Sequence, residues 1–222
     1  MGFWDICAHL IWPVSCPMCG AVGTIACETC LNALFKRLPL PTCLFCGIPI
    51  PCETHGSGSA KIRAGALHEG LVRDVILMLK YGKHEALAFQ LGKALGRVFA
   101  RPDVDFLVPV PLHLKSKRPY NQAEAIAGGL GDVWDIEVSN AARWALDVPT
   151  RAGMRRRERL ALSSEAFAFD EGLSGRRVSL VDDVSTTGTT LICLAETASE
   201  AGVEVAGAFV VAHAVGAQGA SS

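Results

Sequence analysis

Apolar positions recur at helical spacing in some stretches and crowd together at strand density in others. In Gly70–Tyr81 (GLVRDVILMLKY), Leu71, Val75, Met78 and Leu79 fall on one helical face, and Gly82 is a natural stop. Residues 85–100 repeat the pattern with Leu87, Leu91, Leu95 and Phe99. Residues 121–130 are Ala-rich and helical, and residues 190–201 read as a helix closing at Gly202. Three short apolar runs lie among them: residues 106–110 ahead of Pro111, residues 176–181 ending at two aspartates, and residues 203–212. Runs of this length and density suit strands buried on both faces. The alternation predicts an α/β fold, an open, mostly parallel sheet with helices on both faces.

The first quarter of the chain has a different texture, rich in Cys, Pro and Gly with few long periodic runs. Residues 55–61 (HGSGSAK) read as a flexible hinge, which divides the chain into a small head over residues 1–58 and a larger domain over residues 59–222. Of nine cysteines, eight precede residue 53. They pair as Cys16-x-x-Cys19, Cys27-x-x-Cys30 and Cys43-x-x-Cys46, followed by Cys52-x-x-His55, a duplication within the head. Each spacing lets two side chains of one tight turn reach a single metal ion, and Gly20 and Gly47 follow the first and third pairs. In sequence order the pairs make a four-cysteine site and a three-cysteine, one-histidine site. Thiolate-rich tetrahedral sets favour structural Zn2+, one ion or two, with iron–sulfur as the lesser option. Redox-active CxxC turns or disulfides are the competing reading. Four protein donors per site leave no position for a catalytic water. A head this small needs metal to fold. Cys7 and Cys193 stand outside the pattern, and Cys193 reads as a core residue.

Half the residues are apolar and 19% are charged, so a packed core is expected. Lys plus Arg (21) nearly balances Asp plus Glu (22), and any attraction to phosphate must therefore be local. No signal-peptide pattern opens the sequence, and the apolar stretch over residues 3–14, broken by Asp5, His9 and Pro13, is too short to span a bilayer. A cytoplasmic setting without a membrane span is the expectation, and there clustered cysteines point to metal.

The sharpest motif is residues 178–190, VSLVDDVSTTGTT. An apolar strand runs into Asp182 and Asp183, then a loop of small hydroxyl residues and glycine, then a helix. Loops at the carboxyl ends of parallel strands are where open α/β sheets bind ligands. Backbone amides of Thr186, Thr187, Gly188, Thr189 and Thr190 would face an anion at the helix start, and the two carboxylates would accept from vicinal sugar hydroxyls. The arrangement suits a ribose 5-phosphate. Simple helix capping, or a receiver-type metal site at the paired Asp, is the plainer alternative. The motif resembles the phosphoribosyl pyrophosphate signature of type I phosphoribosyltransferases. That resemblance implies catalytic roles for Asp182 and Asp183 on the ribose, a cradle at residues 186–190 for the 5′-phosphate, and Mg2+ bridging pyrophosphate and ribose.

A second stretch, residues 108–122 (VPVPLHLKSKRPYNQ), ends a strand in a stiff Pro109–Pro111 turn and then presents Lys115, Lys117 and Arg118 ahead of a helix. Such a loop is a pyrophosphate site or an ordinary solvated basic loop. Taken with the cysteine head and the phosphate loop, it resembles the ComF family, a double zinc ribbon joined to a phosphoribosyltransferase-like domain. The likeness rests on the CPxCG knuckle, the run Leu79-Lys80-Tyr81-Gly82, residues 108–112, the Asn121-Gln122 pair and the phosphate loop. In the resemblance Lys80 and Lys83 sit beside the ligand. Read alone they are helix-end lysines favoured by the dipole. Departures are Arg118-Pro119-Tyr120 where the family often has Arg-Gly-Phe, His55 where cysteine is common, and an arginine run at Arg155, Arg156, Arg157 and Arg159 where a Gln and an Asn are usual. Arg159 and Phe167 still fit. The run is a mobile loop over pyrophosphate, a single-stranded DNA contact or a charged helix face.

Two functions follow. One is transfer of the phosphoribosyl group to an unidentified acceptor. The other is an adaptor for single-stranded DNA and the DNA-uptake machinery in natural transformation, with or without turnover. A glutamine-dependent amidotransferase would need an amino-terminal cysteine nucleophile, and Met1-Gly2-Phe3 speaks against it. Trp134, Trp144 and Tyr120 are the candidates for stacking on an acceptor.

Overall fold

In the computed structural model, residues 14–56, 58–145 and 166–214 are described. The elements are α1 (Glu28–Leu34), β1 (Thr42–Cys43), β2 (Lys61–Leu67), α2 (Gly70–Tyr81), α3 (Glu85–Val98), β3 (Phe106–Pro109), α4 (Gln122–Trp134), β4 (Glu137–Val138), β5 (Ala142–Trp144), β6 (Phe167–Phe169), β7 (Arg177–Ser185), α5 (Thr189–Glu200) and β8 (Glu204–His213). Six strands make one sheet in the order β1-β2-β8-β7-β3-β4. The five from β2 to β4 run parallel, and β1 joins the edge antiparallel. The expected class, a mostly parallel α/β sheet with a cysteine module ahead of it, is what the chain forms.

Strand alternation divides the core into two layers, because successive side chains leave a strand on opposite faces. On one face Val181, Phe209 and Val211 pack with Leu79 of α2, Leu87, Leu91 and Leu95 of α3, and Ile126 and Leu130 of α4. On the other, Leu180, Ala208 and Val210 pack with Leu191, Leu194 and Ala198 of α5 and with Phe167 and Phe169 of β6. The face of α3 read from the sequence is fully buried at Leu87, Leu91 and Leu95. In α2 the buried set is Val75, Ile76 and Leu79, while Leu71 is 42% exposed, so the stripe is rotated by one position. Cys193 lies in the core.

Helices α3 and α4 meet backbone to backbone. A Cβ at Gly92 would strike the Ile126 carbonyl, and one at Gly129 would strike the Phe89 carbonyl. The cysteine module is fastened to the main sheet rather than hanging from it. Cys43 of β1 lies opposite Lys61, the Leu44 amide donates to the Ala60 carbonyl at 2.8 Å, and the Leu44 side chain is fully buried. Leu31 and Leu34 of α1 and Phe35 at its C-cap join the α2–α4 layer. The flanks of the glycine–serine stretch are thus held together by β1–β2 pairing.

Candidate functional site

The eight expected metal ligands gather into two sets, Cys16, Cys19, Cys27 and Cys30 in one and Cys43, Cys46, Cys52 and His55 in the other, with the ligand atoms of each set within 4.8 Å of one another. Sulfurs around tetrahedral zinc stand roughly 3.8 Å apart, given Zn–S bonds of about 2.3 Å. Cys19 and Cys27 are 3.5 Å apart, Cys46 and Cys52 are 3.5 Å apart, and His55 Nδ1 is 3.5 Å from Cys52 and 3.6 Å from Cys43. The donor sets therefore fit zinc. The His55 amide, 3.4 Å from Cys52 Sγ, is the chief cause holding that thiol down to about 6. In the other set the Cys27 thiol, followed by burial, pushes Cys30 up to about 12. Four such thiols do not all ionise without a cation, so metal binding would displace protons.

The β7–α5 loop, residues 186–188, lies at the carboxyl ends of the parallel strands. The sequence places the strand's end at Val181, but β7 continues through Ser185 in parallel pairing with β8. In an extended strand the two aspartates point to opposite faces. Asp182 turns toward α5 and lines a small open concavity with Val184, Ser185, Thr186, Gly188, Thr189, Thr190 and Leu191. Gly188, at φ +75°, is the N-cap of α5, and no side chain caps that helix start. The hydroxyls of Thr187 and Thr189 bond each other at 2.7 Å. A helix start of this kind offers backbone donors and a positive dipole end to an anion. Among the described residues, the buried Ser185 hydroxyl has no hydrogen-bond partner.

Asp183 turns the other way and is 6% exposed. Its Oδ2 lies 3.1 Å from Lys80 Nζ, at ion-pair distance but without a well-angled hydrogen bond. Lys80 sits in the last turn of α2, and neighbouring side chains hold that helix end. Tyr120 donates its hydroxyl and Gln122 its amide to the Leu79 carbonyl, both at 3.1 Å. Burial first of all pushes the Tyr120 phenol up to about 12, so it remains a donor. Arg118 is half-buried and donates to Gln122 Oε1 at 3.0 Å, while Asn121 caps α4 and donates to the Val110 carbonyl at 3.1 Å. The Asn-Gln pair thus ties the basic loop to the helix that carries Lys80. Lys115 and Lys117 are exposed on that loop. With Arg118, they are not among the residues lining the concavity.

Two histidines, His68 and His213, stand at the same edge, where the sequence pattern gives no signal for them because the charged and small residues of β2 mask its strand. His68 follows β2, its amide bonded to the His213 carbonyl at 2.8 Å. Its pKa is held below the ordinary value by burial first and then by Lys80. Burial likewise lowers His213, at the end of β8 beside Ser185. The aromatic candidates are engaged structurally. Trp134 is buried and donates to the Gly96 carbonyl at 2.9 Å. Trp144 donates to the Pro111 carbonyl at 2.9 Å and packs on Phe167 at 4.3 Å. Arg155, Arg156, Arg157, Arg159 and Cys7 lie outside the described residues.

Competence protein F of Haemophilus influenzae is 34% identical to this chain over 110 residues. The chain is similar to competence protein F. The likeness to ComF proteins read from the motifs is thus matched by a curated relative and by two metal-ready cysteine sets. The match takes in 44% of this chain and 45% of the relative, so the chain covers less than half of that protein's length. No family model matches the chain. A solved structure described as the allosteric regulatory enzyme of purine biosynthesis overlaps 56% of this chain and 26% of its own, at 22% identity and a TM-score of 0.39. That overlap is too slight to carry an argument, and the ComF likeness rests on the motifs and the curated relative. Among the described residues, no helix is long and apolar enough to cross a membrane.

Proposed function

We propose that this ComF-like chain is a cytoplasmic protein that binds phosphoribosyl pyrophosphate at the β7–α5 turn and transfers its phosphoribosyl group to an acceptor. The observation that carries the reading is the joining of Asp182 and the Gly188 start of α5 around one concavity at the carboxyl edge of the sheet. The helix-start amides take the 5′-phosphate, and Asp182 accepts from ring hydroxyls. Asp183, fixed by Lys80, lends negative potential to the anomeric carbon as positive charge develops there. Lys115, Lys117 and Arg118 are suited to the pyrophosphate. As the acceptor's lone pair forms the new bond to the anomeric carbon, the bond to pyrophosphate breaks and the electron pair leaves with pyrophosphate. Magnesium, held by few protein groups plus phosphate oxygens and water, would offset charge on the leaving group.

A thermal-shift screen of phosphoribosyl pyrophosphate with magnesium, against a panel of nucleobases and amines, tests the reading. Ligand at a hundredfold excess over Kd adds about 2.7 kcal/mol of stability, worth roughly 5–10 °C in a chain of this size. The rise is expected for the wild type and should be at most about half as large for Asp182→Asn, and pyrophosphate release with one acceptor would mark turnover. No rise in the wild type would contradict the proposal.

The curated relative favours a second reading, a part in competence. In it the chain is an adaptor that contacts single-stranded DNA through Arg155, Arg156 and Arg157. Binding would then fall steeply with salt, survive Asp182→Asn, and fail when the three arginines become alanine.

A further inference from the structure

The second metal set and the ligand loop touch. Gly47 closes the knuckle after Cys43 and Cys46, at φ +71°, with its amide donating to the Cys43 carbonyl at 2.8 Å. A Cβ placed there would stand 3.0 Å from the carbonyl oxygen of Thr187, the residue before the N-cap of α5. At the next residue of the loop, a Cβ at Gly188 would meet Ile62 Cδ1 at 3.2 Å. Ile62 belongs to β2, and its register partner is Thr42 of β1, next to Cys43. The turn therefore lies close against both a metal knuckle and the strand to which that knuckle is paired.

The first metal set supplies a natural contrast. Gly20 closes its knuckle in the same way, at φ +76°, with its amide donating to the Cys16 carbonyl at 2.7 Å. Among the described residues, a Cβ at Gly20 would meet nothing within 4 Å. The two knuckles share a backbone and differ in which described residues lean on them.

We infer that the second metal knuckle sets the position of the ligand loop, with Gly47 as the positioning residue, so that metal at Cys43, Cys46, Cys52 and His55 and anion at residues 186–190 bind cooperatively. The anion half of this inference rests on the function proposed above, and the positioning half stands on the contact alone. A loosened knuckle frees Thr187 and lets the amides of the helix start drift from their common focus. Coupling of this kind is reciprocal: the factor by which metal tightens the anion is the factor by which the anion tightens the metal.

The test compares Gly47→Ala with Gly20→Ala in the full chain. Both strain a left-handed turn, and only the first presses on Thr187. With zinc content equal to wild type in each, amide resonances of Thr187, Gly188 and Thr189 are expected to move in Gly47→Ala and to stay in place in Gly20→Ala. The affinity for phosphoribosyl pyrophosphate with magnesium should fall about tenfold in the first and stay within about twofold in the second. Matching resonances in the two variants would overturn the positioning role. Resonances that move while affinity holds would overturn the cooperativity. Should Gly47→Ala lose its zinc, Cys52→Ser and Cys30→Ser make the same comparison, one opening the second set and the other the first. Wild-type protein that binds no phosphoribosyl pyrophosphate would sink the proposed function, and the resonance comparison would still decide whether the knuckle places the loop.

Discussion

At the scale of single residues, the Asp183 carboxylate depends on Lys80. The acid is buried and the lysine about a fifth exposed, at 3.1 Å. Removing one member of a buried ion pair leaves an uncompensated charge, while replacing both avoids that penalty. Lys80→Met should therefore cost about 2 kcal/mol in urea denaturation, and the double variant Lys80→Met/Asp183→Asn should recover most of it. Equal stability of Lys80→Met and wild type would remove the pair from the account. The two edge histidines give a pH dependence. Burial lowers both pKa values in the folded state, so below the unfolded value near 6.5 the unfolded chain binds more protons than the folded one. Stability should then fall as pH drops below about 6.5, and His213→Gln should flatten the melting-temperature profile between pH 7.5 and 5.5 relative to wild type.

At the scale of elements, helices with a repeated apolar face and densely apolar strands such as β3 and β8 are legible, and strands that mix charge with small residues are not. The Leu87, Leu91 and Leu95 spacing reveals α3 because three leucines at successive four-residue steps repeat one apolar face. Strand β2, KIRAGAL, is hard to read because Lys61 and Arg63 flank Ile62 and Ala64 and Gly65 follow, a pattern that reads as loop until the parallel pairing with β8 is seen. The extension of β7 through Ser185 escaped for a related reason. Two aspartates look like a strand end, yet the ladder to β8 continues past them, and this sends the two acids to opposite faces. The contact of α3 with α4 was equally hidden, since glycines in helices ordinarily mark weakness and here mark close approach. Gly129→Ala should cost about 2–3 kcal/mol by driving the helices apart at the Phe89 carbonyl. Gly128→Ala, whose Cβ would meet only the Phe89 ring at 3.5 Å, should be neutral or stabilising by up to about 1 kcal/mol. Similar costs at both positions in thermal unfolding would count against this packing.

At the scale of the whole molecule, the cysteine spacings name the ligands of both metal sets, because four pairs at turn spacing leave little else to assign. Spacing says nothing of where the module docks. Burial of Leu44, pairing of β1 with β2, and the seat of Gly47 against Thr187 join segments far apart in sequence. Metal is then a support for the α/β body as well as for the head. Elemental analysis should find two zinc ions per chain, and chelation should lower the melting temperature of the whole molecule in one transition. A separate early melting of the head, leaving the main transition in place, would argue against that support.

The central claim is that the β7–α5 turn holds a sugar monophosphate through Asp182 and the amides of the helix start. Titration calorimetry with ribose 5-phosphate isolates that claim from the leaving group, from magnesium and from any acceptor. One site per chain is expected, competed by phosphoribosyl pyrophosphate and weakened at least about tenfold by Asp182→Asn, the loss of one charged hydrogen-bond acceptor. Absence of binding, or binding that Asp182→Asn leaves unchanged, would contradict it.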